Sequence, residues 1–288
     1  PAHGGRLDRQ DGLAGPHPNP HPIRPSRPTP AANGAAVGAA VAKIESQEML
    51  VAAGANATAE GAAIVANPKL WGVPPTQQPN RYIAVTTVSQ DGKVVDRYDT
   101  RFGIRTIECR SDGFYLNGTR VRLQGVNQHH DLGALGAAFN VRAAERQLEI
   151  LREMGCNAIR MAHNPPATEL LELTDRMGFL VVDELFDSWV RRKTPFDFHL
   201  IYNDWHEQDL RAWIRRDRNH PSVILWSVGN EVGEQYTGED GAKVARELIA
   251  LAHDEDSTRR ATASMNFAKP DSAFAAAVDV ISLNYQGE

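Results

Sequence analysis

The sequence predicts an α/β protein, an incomplete (β/α)8 TIM barrel preceded by a partial immunoglobulin-like β-sandwich. Two observations carry this prediction. Short alternating β segments occupy the first half of the chain, and apolar strand segments alternate with amphipathic helix segments after residue 107. We therefore divide the 288 residues into a disordered or linker segment (1–30), a partial immunoglobulin-like β-sandwich domain (31–107), and the N-terminal six βα units of a barrel (108–288).

Residues 1–30 are dense in Pro, Gly and His and show no apolar period, so we expect no packed structure there. The next segments have the pattern of short strands. "RYIAVTTVS" (81–89) alternates apolar and polar residues and is rich in β-branched residues. "QDG" (90–92) supplies a hairpin turn, and "KVVDRYDT" (93–100) is the second strand of the hairpin. Two alanine-diluted segments are weaker strand candidates, "GAAVGAAVAKIE" (34–45) and "EGAAIVANP" (60–68).

The second half of the chain alternates strand and helix patterns with short connections, which is typical of parallel βα units. The predicted strands are 121–127, 157–163, 179–184, 222–231, 260–265 and 278–285, and the predicted helices are 141–155, 167–178, 202–220 and 240–254. A complete eight-stranded barrel takes about 250 residues, so we expect this barrel to stop two units short. Two open sheet edges would then favour homo-oligomerisation or poor solubility.

Composition excludes several classes of function. A formal net charge of -5 gives no basic surface for nucleic acid, and no apolar stretch is long enough to span a bilayer. The two cysteines form no CxxC motif. The chain begins with Pro1 and shows no signal peptide, so we expect a piece of a longer protein. Its compartment stays open between the cytoplasm and a periplasmic or secreted location.

Polar side chains follow the carboxyl ends of five of the six predicted strands, where (β/α)8 proteins carry their chemistry. In chain order they are Asn127, His129, His130 and Asp131; Arg160, His163 and Asn164; Asp183 and Glu184; Asn230 and Glu231; and Asn284 and Tyr285. Each also has a structural interpretation. Asp183 would brace the barrel as a buried carboxylate, and Arg160 would pair with a carboxylate in the barrel mouth. Trp189, just after the third strand, would instead form an apolar platform for substrate at the barrel mouth.

A metal site is not predicted from spacing, because no His pair lies four residues apart on a predicted helix. A loosely held Mg²⁺ on Glu184 and Glu231 remains open. We therefore expect no required cofactor, and Mg²⁺ is the one alternative.

At these residues the sequence resembles glycoside hydrolase family two, which comprises β-galactosidases, β-glucuronidases and β-mannosidases. The similar segments are "FGIRTIE", "GFYLNGTRVRLQGVNQHHD", "AIRMAHNPP", "LVVDELFDSW" and "RRDRNHPSVILWSVGNE", within residues 65–288. "HHDLGALGAAFN" and "DFHLIYNDWHEQDL" are most similar to the bacterial β-galactosidase branch. The resemblance implies a retaining β-glycosidase acting on β-galactosides or related carbohydrates.

The resemblance also implies roles for individual residues. Glu231 matches the general acid/base, and Asn230 matches the residue that hydrogen-bonds the sugar 2-hydroxyl. His129 and His163 match positions that contact the glycone in the transition state. We predict Asn127, Glu184 and Tyr285 as further substrate-binding residues. Glu184 matches a carboxylate that binds Mg²⁺ in some members, but Phe186 stands where those members have a metal-ligating His.

One departure from the family pattern limits these expectations. The family's nucleophile is a glutamate after the seventh strand, and Glu288 follows the sixth. We therefore expect this chain alone to have little or no turnover. Three alternatives stay open: a β-glucuronidase, a non-catalytic carbohydrate-binding remnant, and a different βα-barrel enzyme that uses metal-assisted chemistry.

Overall fold

The computed structural model describes residues 21–26 and 38–285, the first of these ranges by its backbone only. The described residues form two units. Those up to residue 71, with residues 80–104, belong to the first, and residues 72–79 and 105–285 belong to the second.

The first unit contains a four-stranded antiparallel sheet with the order β2-β1-β3-β4. Its strands are β1 (His21–Ser26), β2 (Ala42–Ile44), β3 (Arg81–Gln90) and β4 (Lys93–Phe102). The predicted β3–β4 hairpin is confirmed. Asp91 and Gly92 turn the chain with φ of 52° and 74°, and this left-handed pair matches the twist of the flanking strands.

The expectations upstream of this hairpin are partly wrong. Residues 21–26, which we predicted to be disordered or linker, form a strand paired with residues 42–44 and 81–84. Partners distant in sequence impose this strand, and local composition cannot report them. The remainder of residues 1–30 lies outside the described residues. "EGAAIVANP" forms no strand, and its Ile64 is 90% exposed.

The second unit begins with a small antiparallel sheet of β5 (Ile107–Arg110), β6 (Gly113–Leu116) and β7 (Thr119–Arg120). Asn117 and Gly118 form the β6–β7 turn with φ of 53° and 75°, the same left-handed pair as in the first hairpin.

A six-stranded parallel sheet follows, with its strands in sequential order. The strands are β8 (Gly125–Gln128), β9 (Ala158–Met161), β10 (Leu180–Glu184), β11 (Val223–Asn230), β12 (Arg260–Met265) and β13 (Ser282–Leu283). The helices between them are α1 (Val141–Glu153), α2 (Thr168–Met177), α3 (Tyr202–Asp217) and α4 (Glu239–Glu255). The predicted fold class, an incomplete (β/α)8 barrel after an all-β domain, is confirmed.

Local chemistry explains where the helices begin and end. The Asn140 side chain accepts a hydrogen bond from the Ala143 N–H and caps α1. Gly178, with φ of 74°, ends α2 in the left-handed conformation that favours glycine. All eight residues of β11 are buried, as expected for a parallel strand covered by helices. Among the described residues, no helix is long and apolar enough to cross a membrane.

One buried contact joins the helix layer to the sheet. The Trp213 ring of α3 packs edge-on against the Trp226 ring of β11, with centroids 4.9 Å apart. The Trp213 Nε1–H donates to the Asp183 carboxylate, and Asp183 is fully buried. The structural interpretation of Asp183 as a buried brace is therefore confirmed. Burial, followed by the charge of Asp217, raises the pKa of Asp183 well above its ordinary value.

Candidate active site

The carboxyl ends of β9, β10 and β11 meet around one buried ion pair. The Arg160 side chain on β9 forms hydrogen bonds to both carboxylate oxygens of Glu184 on β10, the shortest at 2.8 Å. The Glu184 side chain is fully buried, and the Arg160 side chain is 14% exposed. A buried carboxylate is stable only when it is paired, so this arginine balances the charge that the strand end carries. The predicted pairing of Arg160 is confirmed.

Glu184 has no oxygen left for a ligand. Besides Arg160, it accepts hydrogen bonds from Nδ1 of His163 at 2.7 Å and from the hydroxyl of Ser227. Because a carboxylate only accepts, Nδ1 of His163 carries its hydrogen in this arrangement. The structure thus places Glu184 beneath the site as a support for Arg160 and His163, which differs from the substrate contact that we predicted.

Asn230 is the point where three strands are joined by side chains. Its Oδ1 accepts from Arg160 Nη2 at 2.8 Å and from Asn284 Nδ2 at 3.0 Å, and its Nδ2 donates to Asp187 at 3.1 Å. The residue is 4% exposed. Each group of this amide is therefore oriented by a charged or amide partner.

Two predicted histidines lie beside this network. The His129 and His163 rings meet edge to face, with centroids 5.2 Å apart. His129 is exposed and His163 is partly buried. Asn127 on β8 is exposed and lies 3.5 Å from Arg160 Nη1, at the limit of a hydrogen bond. The structure brings these three predicted residues to one place.

Glu231 directly follows β11 and has a φ of 48°, in the left-handed region that residues other than glycine rarely adopt. Its N–H donates to the Ser264 carbonyl at 2.7 Å, which holds this turn against β12. One carboxylate oxygen accepts from Asn284 Nδ2 at 2.7 Å and the other from Asn266 Nδ2 at 3.2 Å. Such strained positions cluster at functional sites.

A close contact just before Glu231 explains the glycine in "VGNE". A Cβ on Gly229 would lie 2.6 Å from Cζ2 of Trp189. Trp189 is fully buried and donates from Nε1 to the Val228 carbonyl at 2.7 Å. The prediction that Trp189 is a substrate platform is therefore wrong. Its ring fills the space that glycine leaves and supports the strand end from beneath.

Asp187 is ionised beside the network. Burial opposes its charge, but hydrogen bonds from Lys193 and Asn230 and the Lys193 charge lower its pKa below the ordinary value. Lys193 Nζ donates to Asp187 at 2.8 Å and to the Asn230 carbonyl at 2.6 Å. Both charges are thus neutralised within the pair.

The residues do not fit a metal ion. In the described part of the chain, no group of three His, Cys, Asp or Glu side chains is arranged to hold one. Glu184 is saturated by Arg160, and Phe186 is buried and stacked on Phe198 with centroids 4.7 Å apart. The guanidinium supplies the positive charge that a cation would bring.

Tyr285 is the predicted residue that the structure leaves apart from the network. Its side chain is 88% exposed, whereas the preceding Asn284 reaches both Asn230 and Glu231. Sequence reasoning assigned no site residue to the fifth strand, although Asn266 follows β12 directly and contacts Glu231. The strand-end rule that identified the other residues would have found it. Gln235, which holds Asn266, carried no signal of its own.

Comparisons with known proteins point to one family. A profile of the glycosyl hydrolases family 2 TIM barrel domain matches residues 107–287, and a profile of glycosyl hydrolases family 2 matches residues 31–105. A β-galactosidase of Bacteroides ovatus, BoGH2A, is 54% identical over 174 residues, which cover 60% of this chain and 20% of that protein. Human β-glucuronidase is 33% identical over 202 residues, covering 70% of this chain and 30% of that protein.

A solved structure shows the same fold. The crystal structure of a glycosyl hydrolase family 2 member from Bacteroides cellulosilyticus matches with a TM-score of 0.78 and 36% identity, covering 92% of this chain and 34% of that one. This chain thus spans between a fifth and about a third of these proteins. The barrel-domain match alone extends over more than half of the 288 residues. The chain belongs to glycosyl hydrolase family 2.

Proposed function

We propose that the protein carrying this chain is a retaining β-glycosidase that hydrolyses terminal β-galactosides, with Glu231 as its general acid/base. The observation that carries the proposal is the position of Glu231. Its carboxyl group stands at the end of β11, held by two amide donors and next to the Arg160–Asn230 network. The 54% identity to a β-galactosidase supports the choice of sugar.

The remaining residues take roles in binding the glycone. Asn230, with its amide oriented by Arg160, is placed to hydrogen-bond a sugar hydroxyl, and this bond gains strength as the oxocarbenium-like transition state forms. His129, His163 and Asn127 line the accessible side of the network. Glu184 acts through Arg160 and His163 without touching the sugar.

Retention requires a second carboxylate about 5 to 5.5 Å from the first. Among the described residues of the network, Glu184 and Asp187 are both engaged in ion pairs, so neither is free to attack. We therefore assign the nucleophile to a part of the protein outside the described residues. Its attack on the anomeric carbon breaks the bond to the aglycone oxygen, which takes the bonding electron pair and the Glu231 proton. Glu231 then removes a proton from the water that cleaves the glycosyl–enzyme bond.

β-Glucuronidase activity is the second candidate, because several relatives carry that name, at 32–40% identity. A glucuronide presents a carboxylate that needs a free cation. Among the described residues, the two cations of the network, Arg160 and Lys193, are already neutralised by Glu184 and Asp187. This charge balance favours a neutral glycone such as galactose.

The test is a comparison of 4-nitrophenyl β-galactoside and β-glucuronide with the full-length protein, in wild-type and Glu231→Gln forms. We expect the galactoside to be hydrolysed with retention. Glu231→Gln should lower kcat/KM by about 10²- to 10⁴-fold on a phenyl galactoside, because positioned acid/base groups contribute that much. The matched control is Glu239→Gln, on an exposed side chain of α4, which should leave the rate unchanged.

The outcomes separate the alternatives. Faster hydrolysis of the glucuronide would reverse the choice of sugar. Galactose binding without turnover in the full-length protein would favour a non-catalytic carbohydrate-binding remnant. Equal rates for Glu231→Gln and wild type would refute the assignment of Glu231.

A further inference from the structure

The side chain of Gln235 is the centre of a hydrogen-bond network behind Glu231. Gln235 lies in a short 3-10 helix (Gly233–Tyr236) after β11 and is 5% exposed. Its Oε1 accepts from three successive backbone N–H groups, those of Asn266, Phe267 and Ala268, at 2.9 to 3.2 Å. Its Nε2 donates to Asn266 Oδ1 at 2.7 Å. One side chain thus fixes the loop after β12 to the loop after β11.

This arrangement decides which way the Asn266 amide faces. Because Gln235 Nε2 can only donate, the Asn266 oxygen must face it, and the Asn266 Nδ2 group must face the other way. That group lies 3.2 Å from Glu231 Oε2. Asn284 Nδ2 holds the other carboxylate oxygen at 2.7 Å. Glu231 is therefore held at both oxygens by amide donors whose orientations are set by other residues.

We propose that Gln235 is a positioning residue for proton transfer by Glu231, acting through the orientation of the Asn266 amide. This inference rests on the proposed function of Glu231. It adds Gln235 and Asn266, which act on Glu231 and not on the substrate. The carboxyl group of a general acid must point at the leaving oxygen, and small misplacements are costly in rate. Asn266 and Asn284 supply this direction, and Gln235 prevents the Asn266 amide from turning over.

Gln235→Glu is the sharpest variant. The glutamate keeps an oxygen that accepts the three backbone N–H groups, so the loop connection remains. It replaces the Nε2 donor by an oxygen, which repels Asn266 Oδ1 and favours the reversed amide. The reversed amide then presents its oxygen to Glu231 Oε2, and the hydrogen bond is replaced by repulsion between acceptors. Gln208→Glu, on an exposed side chain of α3, is the matched control.

The readout is the dependence of rate on the leaving group in the full-length protein. 2,4-Dinitrophenolate leaves its β-galactoside with little help from protonation, whereas the leaving oxygen of phenyl β-galactoside must be protonated by the general acid. We expect Gln235→Glu to lower kcat/KM about tenfold on the phenyl substrate, since the loss of one hydrogen bond to Glu231, roughly 1.4 kcal/mol, corresponds to that factor in rate. The dinitrophenyl substrate should change less than about twofold, because acid catalysis contributes little to its cleavage. Gln208→Glu should match wild type on both.

Two comparisons keep this inference distinct from the function on which it rests. If Glu231→Gln shows no leaving-group dependence, the acid assignment itself fails. If Glu231→Gln shows it and Gln235→Glu does not, or if Gln235→Glu slows both substrates equally, the positioning inference alone is overturned. A crystal structure of Gln235→Glu gives an answer without turnover. Separation of Asn266 from Glu231 supports the inference, and an unchanged 3.2 Å contact refutes it.

Discussion

Replacing Arg160 by methionine should be strongly destabilising, because it leaves the buried charge of Glu184 without its main partner. Glu184 is fully buried and receives bonds from Nε and Nη2 of Arg160. Methionine keeps much of the side-chain volume, so lost packing is small. Removal of one partner of a buried ion pair costs about 3–5 kcal/mol. His163 and Ser227 still donate to Glu184, so we expect the lower half of this range.

Thermal and denaturant unfolding measure this effect. A loss of about 3–4 kcal/mol corresponds to a fall in Tm of roughly 6–16 °C for a domain of this size. The control is Arg142→Met, which breaks an exposed pair with Glu149 on α1 and should leave Tm nearly unchanged, because solvent screens this pair. The double variant Arg160→Met/Glu184→Gln should recover much of the loss, since the uncompensated charge is gone. A cost for Arg160→Met no larger than that of Arg142→Met would refute this reasoning.

Three further predictions concern stability, pH and metal. Gly229→Ala should cost about 1–3 kcal/mol in denaturant unfolding, because the new Cβ would overlap the buried Trp189 ring. A smaller cost in the Trp189→Phe background would confirm that overlap is the cause, and an equal cost would contradict it. Burial and Asp217 raise the pKa of Asp183, so the native state holds a proton that the unfolded state releases above about pH 4. The wild type therefore loses stability as pH rises above about 4 toward the raised native pKa of Asp183. The Tm of Asp183→Asn relative to that of the wild type should increase between about pH 5 and pH 8, and a constant or shrinking difference would count against this. Finally, excess chelator should leave glycosidase activity unchanged, because Arg160 already saturates Glu184; loss of activity that Mg²⁺ restores would overturn this account.

The barrel was predictable from sequence because its signals are local. The strand β11 is continuously apolar and the helices α1 to α4 are amphipathic, so periodicity alone located them within a few residues. The hairpin at Asp91 and Gly92 was equally predictable, since its turn requires two residues with left-handed backbone, and Asp-Gly is a preferred sequence for such turns. Strand β1 was missed because its pairing with β2 and β3 depends on residues distant in sequence.

The sequence predicted most residues of the candidate site, but it did not predict how their side chains are buried and hydrogen-bonded to one another. The rule that strand ends carry polar groups identified Arg160, Glu184, Asn230 and Glu231. It did not show that Glu184 is saturated and buried, because saturation depends on the side-chain contacts of three neighbouring strands. The importance of Gln235 was equally invisible, since it lies within a loop and acts through Asn266.

At the carboxyl ends of the parallel strands, hydrogen bonds between side chains connect strands that are not neighbours in the sheet. Arg160 on β9 reaches Asn230 on β11 across β10, and Asn284 beyond β13 reaches Asn230 and Glu231 across β12. The distances between alternate strands depend on how strongly the sheet curves. The position of the Glu231 carboxyl group is therefore tied to the curvature of the sheet, and a substitution at the far end of the strands that flattens the sheet would shift this group without touching any of these residues.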